Sequence, residues 1–279
     1  MTVLLATCEE FPDGEPGGDL LLAAMALRGI EARWVRWDDP DVDWDGADLV
    51  AVRSTWDYQR RLPEFLAWAA ALRAPLLNGA EVIAWNTDKS YLLDLAETGL
   101  PVVPTVVARA PDEVHAAAQR FGHTVAKPTV SASGVGVVVL RPGEDVELGE
   151  GPWIVQPLVE SVRTEGEHSV YVLGGEVSCQ VGKRPAQDGS ILVHEEYGGR
   201  SDAVRVDDEC ARLALGTVRV TEELRGVRLD YARVDQMRLA DGRLAVSELE
   251  LVEPGLYLDV VPENADAFAD MVARIGETP

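Results

Sequence analysis

Lysine is what the chain has least of among its charged residues. Only Lys89, Lys127 and Lys183 occur in 279 residues, and every other basic side chain is arginine. Arginine is therefore the default surface cation, and each lysine marks a place that calls for a compact point charge. All three stand in motif-like settings: Trp85-Asn86-Thr87-Asp88-Lys89, Ala126-Lys127-Pro128 and Gly182-Lys183-Arg184-Pro185. Codon bias would explain the scarcity but not the placement. Cysteine is equally scarce. Cys8, Cys179 and Cys210 are odd in number and lack CxxC spacing, which argues against zinc and for a reducing, cytoplasmic setting. The four histidines show no metal spacing, and His194 is the one that lies near a motif. Positive charge as a whole is short: the formal charge is −23. Such a surface repels nucleic acid and an anionic membrane alike. A nucleotide would need a locally positive pocket. No apolar run approaches the ~18 residues of a transmembrane helix. The N-terminus has no basic segment before an apolar one, so no signal peptide is read.

Two glycine signatures are also missing. No GxGxxG follows the first strand, which weighs against a nicotinamide oxidoreductase. No Gly-Lys-Ser/Thr follows the one glycine-rich loop, which is therefore not a Walker loop. That loop belongs to the stretch Val125-Ala126-Lys127-Pro128-Thr129-Val130-Ser131-Ala132-Ser133-Gly134-Val135-Gly136-Val137-Val138-Val139. Pro128 biases Lys127 towards extended backbone at a strand end. Ser131, Ser133, Gly134 and Gly136 lack bulk, and such a loop lets backbone N–H groups close on phosphate oxygens. An ordinary hairpin with a glycine-rich turn is the alternative.

With 47% hydrophobic residues, the chain can build two or three small lobes. Val3–Ala6, Glu31–Trp37 and Asp48–Arg53 read as strands, with a helix over Leu20–Leu27 capped by Asp19. This order suggests a small parallel α/β lobe, residues 1–85. Further helices are expected over Leu62–Leu72, Asn86–Glu97 and Asp112–Arg120. Pro101 and Pro157 mark crossings that bracket a lid-sized lobe, residues 86–157. Pro157 suits an edge or a hinge rather than a central strand. The remainder, residues 158–279, reads as strand-rich. Hairpin turns fall at Gly174-Gly175 and Asp241-Gly242, with helices over Asp207–Leu224 and Ala265–Ile275.

Two clusters carry chemistry. The third strand ends in Arg53-Ser54-Thr55-Trp56-Asp57-Tyr58. Ligands gather at the carboxyl ends of strands in open α/β sheets. Arg53, Ser54, Trp56, Asp57 and Tyr58 there offer a guanidinium for a carboxylate, a hydroxyl and aromatic walls. A helix cap by Ser54 or Asp57, with Trp56 in the core, is the structural alternative. In the last hairpin, Glu248 and Glu250 share one face, as do Tyr231, Arg233 and Asp235. Three acids converging there would repel each other without a cation between them, and oxygen ligands with open positions suit Mg²⁺. Alternation alone would instead leave them as solvent-facing charges.

With these residues assembled, the chain resembles the ATP-grasp enzymes over most of its length. The patterns Arg-Ser-Thr-Trp-Asp-Tyr, Trp-Asn-x-Asp-Lys, Ser-Cys-Gln-Val-Gly-Lys-Arg-Pro, Tyr197-Gly198-Gly199 and Glu-Leu-Glu-Leu-Val-Glu-Pro are similar to the group of glutathione synthetases and ribosomal-protein-modifying ligases. They also resemble the branch that includes the O-ureido-serine cyclo-ligase of cycloserine biosynthesis. The resemblance implies a three-lobed ATP-grasp fold: a parallel N-terminal α/β lobe, a small lid lobe and a C-terminal antiparallel sheet lobe. It implies that Lys89 and Lys127 hold ATP phosphates and that Ser131–Gly136 form the flap. Gln156-Pro157-Leu158-Val159 would be the hinge that meets adenine, and Glu160, Glu165 or Glu167 would take the ribose. Arg184, beside Lys183, would face the transferred phosphoryl group, and Asp235, Glu248 and Glu250 would hold Mg²⁺. The family usually ends its metal motif Glu-x-Asn, whereas this chain has Glu248-Leu249-Glu250. Relatives carry an arginine before Tyr-Gly-Gly, whereas this chain has Ile191-Leu192-Val193-His194. The implied activity is ATP-dependent joining of a small carboxylate, such as an amino acid, to an amine through an acyl phosphate. A phosphotransferase and a non-catalytic nucleotide-binding scaffold are the rival readings. Members of the family are commonly dimers or tetramers, but no residue pattern in this chain specifies its oligomeric state.

Overall fold

A computed structural model describes residues 1–132, 134–186, 190–193 and 195–277. The chain opens with β1 (Thr2–Thr7), α1 (Gly18–Leu27), β2 (Glu31–Arg36) and β3 (Leu49–Ser54). The strands form a parallel sheet in the order β2-β1-β3. Both faces of β1 and β3 are covered, so their sequences are almost unbroken apolar runs. Asp19 does not cap α1. Gly17 takes that place with φ 78°, and a Cβ there would stand 2.8 Å from the Leu258 side chain. The close approach of that segment is what requires glycine.

Next come α2 (Leu62–Ala71), α3 (Ala80–Asn86) and α4 (Tyr91–Glu97). The expected single helix over Asn86–Glu97 is broken, and Lys89 sits in the break. Asp88 accepts from the Ser90 N–H at 2.9 Å, a local bond that competes with helix. The Lys89 N–H bonds Thr129 O at 2.8 Å, across to the next lobe.

That lobe contains β4 (Val106–Ala108), α5 (Pro111–Phe121), β5 (Thr124–Pro128), β6 (Val138–Leu140) and β7 (Trp153–Pro157). Its antiparallel sheet runs β4-β7-β5-β6, with α5 packed on it through Val114, Ala117 and Ala118. β7 is an interior strand, yet Pro157 is its last residue and lies beyond the reach of β4, whose pairing stops at Val155. Its missing N–H therefore breaks no ladder bond on that side.

The third sheet is larger: β8 (Glu167–Leu173), β9 (Glu176–Arg184), β10 (Arg200–Val204), β11 (Tyr231–Arg238) and β12 (Leu244–Glu250). Helix α6 (Asp208–Arg225) precedes β11, and α7 (Glu263–Gly276) closes the chain. The order is β10-β9-β8-β11-β12, antiparallel throughout. Both expected hairpin turns are present, between β8 and β9 and between β11 and β12. Asp207 caps α6 by accepting from the N–H groups of Glu209 and Cys210. Helix α7 returns to the first lobe. Phe268, Ala269 and Val272 join Val3, Leu5, Leu21 and Met25 in one core with Tyr171 and Tyr231 of the third sheet. Among the described residues no helix is long and apolar enough to cross a membrane.

One irregularity decides where the last strand points. Asp235 pairs with Glu248, but Gln236 pairs with Val246, so Ser247 is an extra residue, a β-bulge. Before it, Leu244 and Val246 face the core beneath α6; after it, Leu249 and Leu251 do. Without the bulge, Glu248 and Glu250 would have inherited the core face.

Phe268 is fully buried between the first and third sheets. Phe268→Ala is expected to lower unfolding free energy by about 3–5 kcal/mol, read from urea denaturation midpoints.

Candidate active site

The three sheets enclose a cavity of about 400 Å³ lined by all three lysines of the chain. Lys89 comes from the break between α3 and α4. Its Nζ donates to Ser131 O at 2.5 Å and lies 3.3 Å from Glu248. Lys127, from β5 of the second lobe, donates to the other oxygen of Glu248 at 3.0 Å. Lys183, from β9 and 1% exposed, donates to Glu167 at 2.9 Å and to Asp235 at 3.3 Å. A fourth cation, Arg233, completes the floor. It forks onto Asp235 at 3.0 and 2.9 Å and also binds Glu250. Ser169 donates to Asp235, and Ser247 to Glu167.

These contacts set the charge states. Burial raises Asp235, but Arg233, Lys183 and the Ser169 bond outweigh it and bring its pKa to about 2. Burial likewise opposes ionisation of Glu248, and Lys127 and Lys89 overcome it, holding that carboxyl well below its usual range. Burial and Arg233 pull Lys183 down, but Asp235 and Glu167 more than restore it, so it stays protonated. Glu250 goes the other way. Burial dominates, Arg233 opposes, and Asp235 and Glu248 push it up to about 7. Glu253 is raised to about 8 by burial and then by Glu250, with Lys89 opposing. Both line the cavity and are only half-buried, so water there tempers these shifts.

The expected metal trio is corrected in one respect. Asp235 and Glu250 meet on Arg233, whereas Glu248 is held by the lysines. Among the described residues, no three acids close on a common point. The pocket is not locally positive either. Lys89, Lys127, Lys183 and Arg233 face Glu15, Glu167, Asp235, Glu248, Glu250 and Glu253.

The remaining expected residues divide. Ser131, Gly134, Gln156, Leu158, Val159 and Glu167 line the cavity. Gly136 lies behind them at φ 76°, where a Cβ would stand 2.9 Å from Pro128. Ser133 and His194 lie outside the described residues. The Leu158 N–H is taken by His123 O, and the Gln156 amide by Thr105. Glu160 stands on the surface against His123 and Arg163, and Glu165 on Arg238. Arg184 is exposed, because neighbouring strand residues alternate and Lys183 takes the cavity side.

Arg53 also departs from expectation. It is fully buried, with its guanidinium beside the rings of Tyr231 and Phe268. Its Nη2 donates to Glu15 at 3.1 Å and to Pro254 O at 2.5 Å. Glu15, which does line the cavity, also accepts from the Leu256 N–H. Ser54 is buried against Thr7, and Asp57 accepts from the Trp37 indole. Trp56 and Tyr58 are the members of that group that reach the cavity. The Trp56 indole holds Glu253 O at 3.2 Å. Arg233, Glu15 and Glu253 are site residues that the sequence reading passed over. The spacing of Arg233 and Asp235 on one strand face was the available signal for the first.

Comparison with known proteins fits this geometry. Residues 3–78 match the family described as "D-cycloserine synthetase DcsG, N-terminal domain". The cycloserine biosynthesis protein DcsG of Streptomyces lavendulae is 30% identical over 281 residues, covering 91% of this chain and 92% of that protein. The chain belongs to the ATP-grasp ligases. A crystal structure of D-cycloserine synthetase DcsG superposes with a TM-score of 0.85 at 28% identity, covering 99% of both chains. The ATP-grasp ligase PsnB, complexed with a minimal precursor, Mg and ADP, shares the fold at TM-score 0.66 and 18% identity, over 99% of this chain and 98% of that one. D-alanyl-alanine synthetase A of Vibrio cholerae shares it at 0.69 and 15%, over 98% and 96%. The ATP-grasp fold therefore accounts for all three sheets, and the lysine-lined cavity lies where they meet.

The raised acid Glu253 has a consequence for stability. Its folded pKa lies above the ordinary 4.5, at about 8. The folded state then holds a proton that the unfolded chain releases first, so this group's contribution is intact below 4.5 and is lost as pH rises towards 8. The urea midpoint of the ligand-free protein is expected to fall across that window, and to fall less in Glu253→Gln.

Proposed function

We propose that the protein is an ATP-dependent carboxylate–amine ligase, forming a C–N bond with release of ADP and phosphate. The observation that carries this reading is the placement of all three lysines around one cavity, on carboxylates from the third sheet. In a chain that otherwise uses arginine, three compact cations in one place suit polyphosphate.

The residues present fit Mg²⁺. They offer oxygen donors only, and acids outnumber cations in the cavity wall, so a polyanionic nucleotide needs an added cation to enter. The surplus is visible in Glu250, whose carboxyl is raised by burial and by its neighbours Asp235 and Glu248. Asp235, Glu248 and Glu250 are the residues that would hold the ion. When bound, it would neutralise charge on the β- and γ-phosphates. Lys89 and Lys127 would exchange Glu248 for phosphate oxygens, leaving that carboxylate free. Lys183, pinned by Glu167 and Asp235, keeps a positive charge at the floor. Arg233 is placed to stabilise negative charge on the transferred group. Gln156–Val159, with Val103 and Met237, form the apolar end suited to adenine.

In the reaction, the γ-phosphoryl group passes from ATP to the substrate carboxylate and ADP departs. The amine nitrogen then attacks the carbonyl carbon, and the C–O bond to phosphate breaks. The cavity-lining residues Ser131, Ala132, Gly134 and Val137 would exclude water from the acyl phosphate, which would otherwise hydrolyse. Glu253 lines the cavity together with Trp56 and Tyr58. Among the described residues it has no ion-pair partner. We assign it to the ammonium group of an amino-acid substrate, in the place where Arg53 had been expected to take a carboxylate.

The test is ADP release with Mg·ATP against a panel of free and N-acetylated amino acids, with mass identification of the product. A free amino acid is expected to support turnover and yield an amide. Lys127→Ala and Glu248→Gln should each lose at least about a hundredfold in kcat/KM, the scale of removing a group that stabilises developing charge. Glu253→Gln should raise KM for the amino acid far more than it lowers kcat. A phosphorylated acid as the final product would reassign the protein as a phosphotransferase. Equal turnover of N-acetylated substrates would remove the ammonium assignment.

A further inference from the structure

β12 carries Glu248 and Glu250 and is the last strand of its sheet. Beyond the bulge its outward backbone groups belong to Leu249 and Leu251, and no strand pairs with them there. Side chains take the strand's place. The Tyr91 hydroxyl accepts from the Leu249 N–H at 2.9 Å. Asn86 Nδ2 donates to Leu249 O at 2.9 Å, and its Oδ1 accepts from the Leu251 N–H at 2.7 Å. One carboxamide thus donates and accepts on consecutive outward positions, as a neighbouring peptide group would. Asn86 and Tyr91 are 6% and 2% exposed. Both border the cavity, and the two backbone bonds of the Asn86 amide fix its orientation there.

The amide sits three residues before Lys89, at the end of α3. The segment that supplies Lys89 is therefore bolted to the strand that supplies the acids. We propose that Asn86, supported by Tyr91, is a positioning residue. It fixes the Glu248–Glu250 backbone relative to Lys89, so that lysine and carboxylates meet one metal–phosphate group in register. Groups that orient metal-binding side chains typically change metal affinity 10–100-fold when removed. This inference rests on the nucleotide reading above.

Asn78 supplies an internal comparison. It is a second buried clamp, donating to Tyr231 O at 2.9 Å and Leu251 O at 2.8 Å and accepting from the Asp230 N–H. It grips the open end of the same hairpin, at Tyr231 and Leu251, without a bond to Leu249 between the two glutamates.

The experiment is calorimetric titration of ADP into the full-length protein over a series of Mg²⁺ concentrations, with melting temperatures recorded in parallel. Asn86→Ala is expected to need about tenfold more Mg²⁺ for the same gain in ADP affinity, while affinity without Mg²⁺ stays within about twofold. Tyr91→Phe, which removes a single hydroxyl, should shift the Mg²⁺ dependence in the same direction by less, and it carries the test if Asn86→Ala does not fold. Asn78→Ala should lower the melting temperature with little change in Mg²⁺ dependence. Unchanged Mg²⁺ dependence in Asn86→Ala and Tyr91→Phe would overturn the proposal. So would an equal shift in Asn78→Ala, because general loosening of the hairpin would then explain both. Wild-type protein that binds no ADP with Mg²⁺ would instead remove the nucleotide reading itself.

Discussion

Everything in the cavity is arranged around one carboxylate. Glu248 is gripped on one oxygen by Lys89 and on the other by Lys127. The first lysine follows α3, the second stands in the second sheet, and the acid belongs to the third. Three pieces of chain therefore meet on a single negative charge. Burying such a group is costly, and the attraction of two cations is what keeps it ionised. Removal of one partner from a buried pair commonly costs about 3–5 kcal/mol, because the remaining charge is left unsolvated. An arriving phosphate would offer the lysines an equivalent anion, so ligand and protein compete for the same cations.

The opposite end of the cavity depends on a different clamp. Arg53 and Glu15 form a buried pair that holds Pro254 O and the Leu256 N–H, while the Tyr231 hydroxyl bridges Val52 O and Val252 O. The segment 252–256 is thereby fixed to the carboxyl end of β3. Trp56 and Glu253 owe their positions to this arrangement. The rule that ligands gather at strand ends holds, although the charged residue at that end serves the wall and not the ligand.

What could be read from residues alone follows the range of the forces involved. Lysine scarcity led directly to the cavity, because composition records a chemical demand that does not depend on coordinates. Hairpin turns at Gly174-Gly175 and Asp241-Gly242 were legible because turn chemistry is local. Arg53 was misread because its partner Glu15 lies 38 residues earlier in the chain, and no local pattern announces that pairing. Arg184 and Lys183 were named together on motif resemblance, although the two must face opposite sides of one strand. The helix expected through Lys89 failed because a backbone bond to Thr129, just past β5 in another lobe, takes part in setting the break.

The extra residue in β12 means that the two faces of that strand are not defined by counting from its start. Leu244 and Val246 share a side with Leu249 and Leu251 only because Ser247 occupies one place in the chain and none in the ladder. A homologue shorter by that one residue would alternate regularly and keep the same two faces, its carboxylates still turned away from the leucines and valines. An alignment that closes a gap there for the sake of matched letters would pair functional positions with structural ones.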